Sequence, residues 1–226
     1  MANIANIQNL IACGAASVIG TGTKGCRPFL KKVSALWLTP AGFQFDNARD
    51  LDEEYVAELQ AAGNLIVLTG IKAFTDNTPD NSTEELEDGT IQVTRLGKYQ
   101  FAANFINGFH FNKALASVSG FGDYDTTFVD IDGSVLGTQS LSGRLKGFTT
   151  GMIQSDKITW ATDTTGQREG VQWQFLERSE LDTDYVLIQS SQLDFNPNRV
   201  TGINEVELSI PVVPASAATT FAVKAV

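Results

Sequence analysis

The sequence predicts a mainly β protein, a β-sandwich or barrel with one clear flanking helix. Three observations carry this. Turn glycines recur between short, half-apolar runs: Leu86-Glu-Asp-Gly-Thr90, Val129-Asp-Ile-Asp-Gly-Ser134, Leu141-Ser-Gly-Arg-Leu145 and Lys146-Gly-Phe148. Asp-Gly between such runs marks a tight hairpin, because the turn needs positive φ, which glycine adopts without a steric penalty. Apolar and polar residues alternate from Tyr99 to Phe105 and again in Gln172-Trp-Gln-Phe175, the period of a half-buried strand. A single segment, about 50–62, carries both helical spacing and end signals.

In that segment Leu51, Tyr55 and Leu59 recur every four residues with Val56 beside them, which places one apolar stripe on one face. Asp50 is positioned to cap the helix, with Glu53 three residues on and acidic side chains at the positive end of the dipole. Gly63-Asn64 then ends it. A second short helix is read at about 112–119, closed by Gly120. Strands are expected at Val33–Leu38, Leu65–Leu68, Ile91–Leu96, Tyr99–Phe105, Lys157–Ala161, Val171–Leu176 and Asp184–Ser190, with a hairpin over Thr126–Leu136. Glu205–Val213 and Phe221–Val226 also have strand character. No composition shift divides the chain, so residues 1–226 read as one β domain with an N-terminal arm (about 1–32) and a C-terminal strand or arm (about 205–226). Thr75 to Asp88 is polar, acidic and holds Pro79; it reads as a long exposed loop, of a length that usually serves a function.

Composition narrows the function classes. At 226 residues, 42% hydrophobic and 19% charged, the chain is an ordinary folding sequence with enough length for a sizeable core. No run approaches the roughly 18 apolar residues of a membrane span, and Met1 to Leu10 holds no Lys or Arg, so neither a membrane partner nor a secretory leader is expected. The net charge of −10 repels phosphate backbones, which disfavours adhesive nucleic-acid binding. It equally suits a surface that DNA must slide past without sticking.

Residues with chemical potential are sparse. Cys13 and Cys26 are the only cysteines and His110 the only histidine, too few for the usual zinc sets, and the cysteines are expected to be reduced. Asp130-Ile-Asp132-Gly133, with Asp123 and Asp125 near, invites a calcium loop, but Ser134 and Leu141 occupy positions where carboxylates are needed, so a turn is the better reading. His110 between two phenylalanines lacks a nucleophile and an orienting carboxylate nearby in sequence, and no Gly-x-Ser-x-Gly elbow exists. No cofactor and no catalytic activity are expected. Trp37, Trp160 and Trp173 are read as core or interface anchors on strands.

The order of these features resembles a known family. A Gly-Cys start is followed by the helix Leu51-Asp-Glu-Glu-Tyr-Val-Ala-Glu-Leu59, then Glu87-Asp-Gly-Thr90 and Arg95-Leu-Gly-Lys-Tyr99. Next come Gly120-Phe-Gly-Asp-Tyr-Asp125, Val129-Asp-Ile-Asp-Gly133 and Leu145-Lys-Gly-Phe148. From Cys13 to Ser190 this resembles virion structural proteins of tailed bacteriophages, in particular tail tube proteins. The resemblance implies a β-sandwich or barrel with a flanking helix that forms hexameric, stacked rings in the virion after assembly in the host cytoplasm. The implied partners are further copies of the chain, a tape-measure protein and other virion proteins, and double-stranded DNA passing through the lumen without specific binding. A loop that reaches the next ring would correspond to Thr75–Asp88, which makes Asn77, Pro79, Glu84, Glu85, Glu87 and Asp88 the candidate assembly-interface residues; the N-terminal arm is the other candidate. Two alternatives stay open: a head-decoration, connector or baseplate protein of the same virion class, and a carbohydrate-binding β-sandwich with a tryptophan platform.

Overall fold

The computed structural model describes residues 29–200 and the short pairs 208–209 and 224–225. Its strands in chain order are β1 (Val33–Pro40), β2 (Ile66–Thr69), β3 (Ala73–Asp76), β4 (Ser82–Glu85), β5 (Ile91–Arg95), β6 (Gln100–Phe105), β7 (Tyr124–Asp130), β8 (Val135–Gln139), β9 (Leu145–Lys146), β10 (Phe148–Ser155), β11 (Glu169–Phe175) and β12 (Tyr185–Ile188). The helices are α1 (Glu53–Ala61), α2 (Phe109–Ser117) and α3 (Ser179–Asp182). Leu208–Ser209 and Lys224–Ala225 form one further antiparallel pair, β13 and β14. The remainder of the expected C-terminal strand or arm, residues 1–28 of the expected N-terminal arm, and both cysteines lie outside the described residues.

The fold is a β-sandwich closed like a barrel. One sheet runs β2-β1-β7-β8-β12 with β9 on β8; the other runs β10-β11-β6-β3. All the pairings are antiparallel. The sheets join twice. At one corner Phe148 and Thr149 of β10 pair with Thr126 and Asp125 of β7 before β10 crosses to β11. At the other, Gly70 (φ +82°) bends the chain from β2 into β3. Ile71 N–H then donates to Ser34 O (3.1 Å) and Lys72 N–H to Asn104 O (2.8 Å), which stitches the corner to β1 and β6.

Two apolar cores flank β1 and β7. Inside the sandwich, Leu36, Leu38, Leu68, Phe101, Phe128, Phe148, Trp173 and Phe175 pack together. On the outer face, Trp37, Val67, Val129, Val135, Val186 and Ile188 pack against Leu51, Tyr55, Val56 and Leu59 of the α1 segment. Successive side chains of a strand point to opposite faces, so the run Val33-Ser-Ala-Leu-Trp-Leu38 supplies both cores at once. The expected stripe of α1 is the stripe that is buried.

Several boundaries differ from expectation. The cap of α1 is Asp52, not Asp50: its Oδ1 accepts from Tyr55 N–H at 2.8 Å, three residues on as capping geometry requires. Gly63 (φ +73°) ends the helix as read, with Asn64 N–H donating to Leu59 O at 2.8 Å. The second helix spans Phe109–Ser117, starting earlier than 112–119 because the chain turns at Gly108 (φ +87°). Lys157–Ala161 is no strand; it is exposed loop with one bridge, Thr159 to Arg168. The strand lies instead at β10, where the register slips between Thr150 and Met152 around Gly151 and so breaks the period-two pattern. Gly147 is not a reversal: a Cβ there would come within 2.9 Å of the Asp125 backbone carbon, so glycine permits the close crossing of β7.

The expected turn at Asp132-Gly133 forms between β7 and β8. Asp130 is buried and its carboxylate is engaged by three backbone amides: Lys31 N–H, Asp132 N–H and Ser134 N–H, at 3.1, 3.0 and 2.8 Å. At the β7–β10 corner, buried Asp125 accepts from Gly42 N–H at 2.9 Å and lies 3.9 Å from Lys146 Nζ, which is 3.0 Å from Glu180. Burial pushes the Asp125 carboxyl from 3.8 up to about 6; the Gly42 amide and Lys146 pull against this, and Glu180 adds to it. An acid raised in the folded state holds its proton more tightly there than in the unfolded chain. Its ionisation therefore removes stability as pH rises between about 4 and 6, by about 2–3 kcal/mol once complete. Replacing Asp125 by Asn keeps an acceptor for Gly42 and should flatten this loss. Urea midpoints of wild type and D125N, compared at about pH 3.5 and 7, should converge at low pH and favour D125N at high pH; parallel pH profiles would refute the assignment.

Candidate assembly interface

Residues 77–98 leave the body as a hairpin and return to it. The expected loop Thr75–Asp88 is therefore a correction: its first residues belong to β3, its middle to the stem, and Ser82–Glu85 is strand β4, paired with β5. Glu84 and Glu85 are weak strand formers alone; their pairing with Gln92 and Ile91 makes the strand. The turn closes through Leu86 N–H to Thr90 O and Gly89 N–H to Leu86 O, both 2.8 Å, with Gly89 at φ +78°. Asp88 Oδ1 accepts from Thr90 N–H at 2.9 Å, and the amide and hydroxyl of Thr90 hold this carboxylate below its usual range.

Every residue of β4 and β5 is exposed. Residues paired across antiparallel strands share a face, so Thr83, Glu85, Ile91 and Val93 form one face and Glu84 and Gln92 the other. Ile91 and Val93 are 69% and 50% exposed, on a two-stranded unit that no third strand joins among the described residues. Such hairpins are marginal on their own. Leu86 in the turn and Leu96 at the base are exposed as well.

The stem is built firmly. Asn77 N–H donates to Gln100 O (2.8 Å), and Gln100 N–H to Thr78 Oγ1 (3.1 Å). Asn81 Oδ1 accepts from Gly97 N–H (3.0 Å) and from Arg178 Nη1 (3.2 Å), which also donates to Gly97 O (3.0 Å). Arg178 lies over the Tyr99 ring, and its Nε donates to Asp182 (2.8 Å), which Tyr99 Oη also reaches. Hydrogen bonds from Tyr99 and Arg178 hold the Asp182 carboxylate below its usual range. Gly97 has no room for a side chain: a Cβ would sit 1.9 Å from Pro79 O.

The six expected interface residues thus divide. Glu84, Glu85, Glu87 and Asp88 gather at the free end, while Asn77 and Pro79 serve the stem. The apolar face of Ile91 and Val93 was missed, although its alternation with Gln92 and Thr94 was legible. Arg178 was missed because its partnership with Asn81 spans 97 positions, with no local signal. Of the tryptophans, Trp37 and Trp173 are buried in the cores, whereas Trp160 is 67% exposed, outside any strand, and packs on Phe109 with ring centroids 5.6 Å apart.

Comparison with known protein families, curated proteins and solved structures finds no match. Among the described residues no His, Cys, Asp and Glu side chains cluster as a metal set, and no helix is long and apolar enough to cross a membrane.

The stem contacts imply that the hairpin's order depends on Arg178 and Gly97. Substituting Arg178→Ala, or Gly97→Ala, should raise amide hydrogen exchange across residues 77–98 at least about tenfold while β6 and β11 stay protected. Unchanged exchange in both variants would show that the stem is held by other contacts.

Proposed function

We propose that the chain is a self-assembling structural subunit of a tailed-bacteriophage virion, similar to a tail tube protein, that forms stacked hexameric rings around a lumen. The observation that carries this reading is the β4–β5 hairpin: a firmly rooted, fully exposed two-stranded unit with an apolar face that the other described residues leave open. Exposed strands with unpaired edges are an aggregation hazard in a monomer and an assembly device in an oligomer. The excess of 26 acidic over 16 basic residues supports a lumen that double-stranded DNA passes without adhering. On this reading the chain acts by packing against copies of itself, a tape-measure protein and other virion proteins, and does no catalysis. The order of motifs from Cys13 to Ser190 supports the same assignment.

One observation favours a second reading. Trp160 on Phe109 is an accessible aromatic surface of the kind that stacks on sugar rings; saturable quenching of tryptophan fluorescence by a glycan, lost in W160A, would move the carbohydrate-binding alternative ahead. A head-decoration, connector or baseplate role would instead show as assembly that needs another virion protein.

Asn81 and Gly97 are adjacent at the stem, so Thr83–Thr94 can be replaced by Asn-Gly with little strain on the body. The wild-type chain should give rings or hollow tubes in negative-stain electron microscopy, and this deletion a folded monomer with an unchanged far-UV spectrum. Tubes from the deletion, or a wild-type chain that stays monomeric at all concentrations, would overturn the proposal.

A further inference from the structure

A cavity of about 580 Å³ opens at one end of the sandwich, lined by Leu30, Phe74, Phe101, Phe128, Leu136 and Leu181. That volume lies inside the roughly 300–1,000 Å³ range of pockets that bind a ligand or receive a side chain. Lys31 and Lys32 stand at its mouth. Lys32 Nζ donates to Lys72 O at 3.1 Å, and the exposed Lys72 directly precedes Ala73, which also lines the cavity. Lys31 is partly neutralised by Asp132, 2.5 Å away. The carboxylates on either side of Leu181 are already engaged, Glu180 by Lys146 and Thr149, and Asp182 by Arg178 and Tyr99. Among the described residues, the charge these contacts leave open at the rim is therefore basic.

The hairpin's free end has the opposite character. Leu86 is exposed in the turn, with Glu84, Glu85, Glu87 and Asp88 as its exposed sequence neighbours: an apolar side chain in an acidic tip. The hairpin contributes nothing to the lining of its own chain's cavity. Its paired strands carry the turn roughly 15 Å beyond the stem, enough to reach a neighbouring molecule.

We propose that the acidic hairpin end of one copy docks in the lysine-rimmed apolar cavity of the next, with Leu86 entering and its flanking carboxylates meeting Lys32 and Lys72. The contact is head-to-tail: the two surfaces differ, so each copy both gives and receives, and repetition closes a ring or extends a stack. This rests on the self-assembly reading and adds its docking partner, a second copy of the chain.

Charge reversal tests it on the full-length protein. A tip variant, Glu85→Lys with Glu87→Lys, and a rim variant, Lys32→Glu with Lys72→Glu, are compared with wild type by sedimentation velocity over a concentration series, with far-UV circular dichroism to verify folding. Like charges brought together should raise the concentration for half-assembly at least about a hundredfold in each variant alone. A 1:1 mixture should restore assembly, because each variant's tip then meets the opposite charge on the other's rim. If the tip variant fails to assemble while the rim variant assembles like wild type, the cavity does not receive the hairpin, yet assembly through the hairpin stands. If both fail and the mixture does not recover, charge matching is wrong. If wild type itself never associates, this inference falls together with the assembly reading.

Discussion

The architecture depends on one strand pair, β1 with β7, buried on both of its faces. Leu36, Leu38 and Phe128 look into the sandwich, while Trp37 and Val129 look toward α1. A strand that must be apolar on both sides reads as a continuous hydrophobic run, and β1 is such a run. The two cores are therefore not independent: a one-residue slip of β1 would exchange their side chains and leave neither filled. The corner at Gly147 brings chain so close to β7 that a Cβ would sit 2.9 Å from the Asp125 backbone carbon, while the corner at Gly70 depends on the positive φ of its glycine.

Legibility in the sequence followed the range of the interaction. Helix α1 and the turns at Asp88-Gly89 and Asp132-Gly133 are decided within a few residues, by caps and by the positive φ that glycine accepts, and they appear where the pattern places them. Strand β10 was hidden because the bulge at Gly151 puts Phe148, Thr150 and Ile153 on the buried side out of step with simple alternation. Lys157–Ala161 alternates well yet, among the described residues, pairs only through the single Thr159–Arg168 bridge. Part of the candidate interface was visible as the acidic run 84–88. Its apolar side needed the β4–β5 register to bring Ile91 and Val93 onto one surface, and its anchoring by Arg178 joins residues 81 and 97 positions apart.

The molecule divides its labour between a closed body and an open appendage. The body binds up its backbone in a circuit of sheets and holds its large aromatics in edge and tilted contacts around Phe101 and Phe128. The appendage keeps apolar and acidic groups outside that economy. Rigidity at the stem lowers the entropy lost when such a surface docks, which is how a small contact becomes a specific one.

The legs of the hairpin continue directly into β3 and β6, which lie side by side in the β10-β11-β6-β3 sheet. A pull on the hairpin's end is thus transmitted along the strand axes. It draws β3 and β6 in the same direction and loads the six register pairs between β6 and β11 in shear, so that those bonds share the force and do not open one after another like a zipper. A particle built from such subunits would resist axial tension through the grain of its own sheets, and would yield first at the contacts between molecules.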